Sequence, residues 1–168
     1  MYMFIAKTIG SPVAQIFWFI TGLLESFFYI GNRKQGKRII SDARKIIHNT
    51  QDLENWYKDN KFDKFEYRKD TVNCGSLPWV TAYRHKGDCE DYAILSMEIL
   101  KDMCKCIIAV CHGRREGKRT GHAILLVQEG EKWRVMSNMY KKELFATKKE
   151  AALSTYGDKT TDYYFVGS

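Results

Sequence analysis

The stretch running from Tyr92 to Asn138 constrains the fold more than any other part of the chain. Ala93, Leu95, Ile99, Leu100 and Met103 recur at spacings of one to four, while Glu98, Lys101 and Asp102 fall on the other side, and this pattern predicts an amphipathic helix. Residues 105–111 then read as a β-run, the polar residues 113–120 as a loop, and residues 122–127 as a second run. The second run turns at Glu129-Gly130-Glu131 into a third, residues 133–138. A helix followed by an antiparallel hairpin predicts an α+β domain with the helix packed on the sheet.

The hairpin register decides which residue faces His122. A loop of three residues, 129–131, pairs Gln128 with Lys132 and sets Asn138 opposite His122. A loop of two residues puts Ser137 on that face instead. The pattern leaves both open.

Cys89 lies in Gly87-Asp88-Cys89-Glu90-Asp91-Tyr92-Ala93, at or just before the first helical turn. Unpaired N–H groups there favour a thiolate and can hold an oxyanion. His122, at the open end of the hairpin, supplies a base for that thiol, and an amide or hydroxyl on the neighbouring strand can orient the imidazole.

With Trp79, the Gly-Asp-Cys-Glu-Asp-Tyr-Ala run, the Gly121-His122-Ala123 strand start and the Ser137-Asn138 pair, the stretch 79–138 resembles the bacterial transglutaminase-like cysteine peptidases, a branch of the papain-like superfamily. The resemblance implies a nucleophile at a helix N-terminus packed on an antiparallel sheet. It makes Cys89 the nucleophile, His122 the base and Trp79 a wall of the substrate cleft, with a buried core position the alternative for Trp79. The family places an aspartate and then an asparagine where Ser137-Asn138 stands here. Asn138 is then the expected orienting group, with Ser137 its alternative, and reduced activity is expected. The implied reaction is hydrolysis of a peptide or amide bond in a protein substrate. The alternatives are protein transamidation, which needs the same groups, and a non-catalytic structural or binding module that keeps the fold.

Asp88, Glu90 and Asp91 each oppose a thiolate at Cys89. Asp91 suits the helix dipole. Asp88 and Glu90 have two readings. Some members of the resembled family bind calcium through the two acids flanking the cysteine, and a hard cation would cancel the repulsion. Otherwise Asp88 caps the helix and Glu90 is solvated. No cofactor is otherwise required.

Five cysteines, an odd number, do not make a disulfide framework. A zinc site from Cys104, Cys106, Cys111 and His112 is disfavoured, because Cys111 points to the opposite face of the β-run from the other two cysteines. Cys74 has no evident partner. His48, His85 and His112 read as surface residues.

Residues 8–24 carry no charge and include Ile16, Phe17, Trp18, Phe19, Ile20, Leu23 and Leu24, with Phe27 to Ile30 continuing the apolar run. Residues 8–30 are thus expected to cross or lie on a membrane surface, or to pack on another protein or a second copy in a homo-oligomer. The basic residues Arg33, Lys34, Lys37 and Arg38 that follow place the rest of the chain in the cytoplasm. A component of a viral particle is the alternative. Two units result: 1–36, a hydrophobic helix or anchor with a basic flank, and 37–168, the catalytic domain.

Within that domain, residues 37–59 are expected as one long helix or two short ones, and 61–69 as a loop or short strand. Thr147 and Glu150 predict a capped short helix, and residues 163–166 a last strand. The net charge of +7 is spread along the chain without a nucleic-acid motif, so no specific nucleic-acid partner is expected. Arg114 and Arg115 lie in the predicted loop before His122, where they would favour acidic substrate segments.

Overall fold

The computed structural model describes residues 27–59, 65–69 and 75–166. The long amphipathic stretch is two helices, α1 (Arg33–Ile46) and α2 (Thr50–Lys58). The break falls at Asn49, whose side chain accepts from the backbone N–H of Gln51 and Asp52 and so caps α2. After the two-residue strand β1 (Glu66–Tyr67) come α3 (Pro78–Arg84), β2 (Lys86–Gly87), which pairs in parallel with β1, and the central helix α4 (Cys89–Leu100). Then follow β3 (Cys106–Arg115), β4 (Lys118–Glu129), β5 (Lys132–Ser137), β6 (Tyr140–Phe145), α5 (Lys148–Leu153) and β7 (Thr160–Val166). The last five strands form one antiparallel sheet in the order β6-β5-β4-β3-β7.

Strand alternation gives that sheet two apolar faces. Ile108, Val110, Ala123, Leu125, Val127 and Met136 meet α1 to α4 in the larger core, around Tyr57, Tyr92, Leu95 and Ile99. Ile107, Ala109, Cys111, Ile124, Leu126 and Val135 meet Ala151 and Ala152 of α5 in the smaller one. Cys106 and Cys111 thus lie in opposite cores, as the β-period requires. Thr147 and Glu150 form the reciprocal cap that starts α5.

Three features differ from the sequence reading. Residues 113–120 are not a loop: β3 and β4 run on to a two-residue turn at Glu116-Gly117, where φ values of 53° and 76° match the twist of a tight hairpin. Their polarity reflects strands projecting beyond the core. The strand β6 carries no apolar alternation; it is a sheet edge with Lys141 and Lys142, and charge on an edge discourages further pairing.

The third difference concerns the boundary at residue 36. Helix α1 starts at Arg33, and Gly36 is buried against α3, where an added Cβ would lie 2.1 Å from the Trp79 carbonyl oxygen. The domain therefore begins before residue 37. Gly36→Ala is expected to destabilise the fold by about 2 kcal/mol despite alanine's better helix propensity, because a backbone oxygen cannot swing aside and α1 must lift off α3. The midpoint of urea unfolding measures this, and a variant as stable as the native chain would refute the contact.

Of the expected membrane-active or self-associating segment, residues 8–26 lie outside the described residues. At its described end Phe27, Phe28 and Ile30 are exposed, while Tyr29 packs on Tyr83 and under the Arg84 guanidinium. No helix among the described residues is long and apolar enough to cross a membrane.

Candidate active site

Helix α4 begins where the sequence places it. Asp88 is the N-cap, its carboxylate accepting from the Glu90 N–H, and Asp91 closes the reciprocal half of the cap by accepting from the Asp88 N–H at 3.1 Å. Asp91 does more than suit the dipole. It is fully buried and also accepts from the Ser76 N–H, tying the segment before α3 to the start of α4. The neighbouring Gly87 is required by this network, since a Cβ there would fall 2.5 Å from the Asp91 side chain. Cys89 is thereby fixed at the first position of α4, 8% exposed.

The β4–β5 turn has two residues, Gly130 and Glu131, so Glu129 pairs with Lys132 and Leu125 with Met136. Glycine at φ 62° makes that tight turn possible, and the Glu129–Lys132 pairing excludes the three-residue loop. The register puts Ser137, not Asn138, on the face of His122, and His122 Nε2 shares a hydrogen bond of 2.8 Å with Ser137 Oγ. The expected position of Asn138 opposite His122 is corrected accordingly. Asn138 instead takes a left-handed conformation, φ 53°, in the turn to β6, and its buried Oδ1 has no hydrogen-bond partner among the described residues.

This turn also exposes the group that the thiol uses. Gln128 donates its N–H to Lys105 on the β3 side, so the odd-numbered residues of β4 direct their N–H groups toward β5. The next rung after Leu125–Met136 would be Ala123–Asn138, but Asn138 has already turned away. The Ala123 N–H released there opposes the rise of the Cys89 thiol pKa. Cys89 packs in the larger core on the sheet face of Ala123, the residue after His122, and Cys89 and His122 line one cleft of about 1100 Å³ with Ser137 and Asn138.

The electrostatics of the resting site disfavour the thiolate. Burial pushes the Cys89 thiol far above its ordinary range, with the Glu90 carboxylate adding to the effect and the Ala123 N–H opposing it. The thiol donates to Glu90 Oε2 at 3.0 Å. Burial also lowers the pKa of His122, so its imidazole is neutral at pH 7.

Trp79 does not wall this cleft: it is 8% exposed in the larger core, held by α3 against α1. Of the basic group after Gly113, Arg119 lines the cleft, whereas Arg114 is exposed outside it. His112, read as a solvated strand end, also lines the cleft, its Nδ1 donating to Asp162 Oδ1 at 2.6 Å. His48 is exposed, and His85 is the left-handed C-cap of α3, its ring against Phe65. Cys74 lies outside the described residues.

For a metal, the only grouping of ligand atoms among the described residues is Asp88, Cys89 and Glu90, within 4.8 Å of one another. Calcium takes about six to eight oxygen ligands. Here one carboxylate is engaged as a helix cap, the other accepts from the thiol, and the third donor is sulfur. This donor set, among the described residues, does not fit calcium.

Comparison with known proteins adds the following. The family described as "Transglutaminase-like domain" matches residues 37–140. A presumed cysteine protease from Cytophaga hutchinsonii shares 15% identity and a TM-score of 0.48, over 80% of this chain and 47% of its own. This chain therefore spans about half the length of that protein. LapG of Legionella pneumophila shares 13% identity and a TM-score of 0.44, over 99% of this chain and 82% of its own. No curated protein matches the chain.

Proposed function

The chain belongs to the transglutaminase-like domain family, and from that premise we propose that it is a thiol-dependent hydrolase acting on a peptide or amide bond in a protein substrate. The observation that carries the reading is that Cys89, fixed at the first position of α4, and His122, hydrogen-bonded to Ser137, line one cleft. With Nε2 engaged by Ser137, Nδ1 is the nitrogen left to serve the thiol.

In the reaction, His122 takes the Cys89 proton as the sulfur attacks the substrate carbonyl, and the imidazolium then protonates the departing amine. The backbone N–H of Cys89, with a second donor, holds the oxyanion as it develops. Acyl transfer to an amine instead of water uses the same groups. Residues 8–30 would bring this domain to a membrane surface or a second copy, with the catalytic domain in the cytoplasm.

A second reading has specific support. Ser137 stands where the resembled family has a carboxylate, and Glu90 holds the Cys89 proton, as suits a non-catalytic module that keeps the fold. The rate of Cys89 alkylation by iodoacetamide, followed by peptide mapping to separate it from the partly buried Cys104, distinguishes the two. The hydrolase reading expects Cys89 to react faster than Cys104. A slower Cys89 favours the module.

Glu90→Gln gives the same measurement a direction. Burial is the larger cause of the raised thiol pKa and stays in place, but removal of the adjacent carboxylate lowers it. Alkylation of Cys89 at about pH 8 is expected to become about tenfold faster in the variant, with its pH profile displaced toward lower pH. An unmoved profile would mean that Glu90 does not restrain the thiol.

A further inference from the structure

The cleft holds a second imidazole with better support than the first. His112 sits opposite Asp162 across the β3–β7 ladder, where the register shifts between His112 and Gly113. Such bulges re-aim side chains. Asp162 Oδ1 accepts from Nδ1 at 2.6 Å, and Asp162 Oδ2 faces the Arg119 guanidinium at 3.6 Å. A carboxylate only accepts, so this bond fixes the proton on Nδ1 and leaves the lone pair of the neutral ring on Nε2.

Nε2 has a definite place. The Cδ2–Nε2 edge of the ring lies over Gly121, where a Cβ would be 3.3 Å from Cδ2 and 3.7 Å from Nε2. Gly121 is two residues from Ala123, which packs with Cys89 in the larger core, and a strand advances about 7 Å over two residues. By alternation His112 shares the sheet face of Gly121 and Ala123, whereas His122 shares that of Cys111, its partner on β3. The two imidazoles therefore stand on opposite faces of the sheet, with Cys89 packed on the His112 side against Ala123 and Val110 and both rings lining its cleft. Tyr164 lies on this face, its ring 6.0 Å from that of His112 and its buried hydroxyl without a partner among the described residues. A buried unpaired hydroxyl is a place for a water or a substrate atom.

We propose that His112, positioned by Asp162, is the general base for the second half of the reaction, activating the water that releases the acyl group from Cys89. This rests on the thiol-hydrolase reading. The water oxygen bonds to the acyl carbon while His112 Nε2 takes its proton. The tetrahedral centre then breaks its C–S bond, the electron pair returns to sulfur, and the proton on His112 passes to the thiolate, leaving a carboxylic acid and the free thiol.

The test uses p-nitrophenyl acetate on the full chain, with Cys89→Ala subtracted as background. The native chain is expected to release a burst of p-nitrophenolate, one equivalent per Cys89, followed by steady turnover. In His112→Asn the burst persists, while the steady rate falls about 100-fold and acetyl-Cys89 accumulates by intact mass. Asp162→Asn alters an exposed carboxylate, so it remains informative if the first variant fails to fold, and the same split is expected of it. A structural role would lower burst and steady rate together. That result, or an unchanged steady rate in both variants, overturns the proposal. Absence of both burst and steady release above background in the native chain overturns the hydrolase reading itself, and this inference with it.

Discussion

Cys89→Ala is expected to reduce hydrolysis of an unfolded protein substrate such as casein by about 10⁴-fold or more while leaving the fold intact. The loss is large because every later step depends on the bond that the sulfur forms. The fold should tolerate the change: alanine suits the first turn of α4, the Asp88–Asp91 cap does not involve the side chain at position 89, and only one sulfur is removed. Removing the thiol also removes its contact with Glu90, so the melting temperature should stay within a few degrees of the native value. The other described cysteines cannot substitute for it. Cys106 and Cys111 are buried in the two cores, the Cys111 thiol directed at the Ala152 carbonyl, and neither they nor Cys104 line the cleft beside His122. Activity that survives in Cys89→Ala would end the nucleophile assignment. Activity lost together with the thermal transition would mean that the variant tests folding rather than chemistry.

The parts of this site that local chemistry governs were legible in the sequence. An acid before an apolar-periodic run announces a helix cap, and a thiol one residue later is then at the helix start. Parity alone showed that a two-residue turn would face Ser137 toward His122. The sequence could not choose the turn, because the choice depends on Gly130 adopting a left-handed conformation and on how β5 ends. What remained hidden is the information carried between strands distant in sequence. The Ala123 N–H becomes available only because β5 turns away at Asn138, and His112 acquires Asp162 only because β7 returns beside β3 from fifty residues further on. Trp79 has two readings, cleft wall and core, and the core holds: α3 packs on α1 at Gly36, a contact that no local pattern announces. Asp91 reads as one more acid near a dipole until Ser76 and Gly87 are seen to depend on it.

Ser137→Asp is expected to raise kcat/KM for the same substrate by about 100-fold, and the sign follows from three effects. The hydroxyl of Ser137 can donate to or accept from His122 Nε2, so it does not select the tautomer whose Nδ1 lone pair takes the thiol proton. A carboxylate can only accept, so it selects that tautomer. It also stabilises the imidazolium that forms when Cys89 gives up its proton, opposing the burial that now lowers the His122 pKa. Working against these, an aspartate adds negative charge near a thiol already raised by burial and by Glu90, and its own carboxylate must be partly desolvated. The favourable effects act on the group in direct contact with the new charge, whereas the thiol lies on the far side of the ring and is separated from it by a cation once the proton has moved, so the net effect is acceleration. Because the variant raises the His122 pKa while the native imidazole is neutral through most of the working range, the pH dependence of kcat/KM should gain an acid limb displaced upward. Ser137→Ala, which removes the orienting bond without adding charge, should lose activity under the same assay. Equal rates for the native chain and both variants would mean that the contact between Ser137 and His122 has no part in proton transfer, and that the base for Cys89 must be sought elsewhere in the cleft.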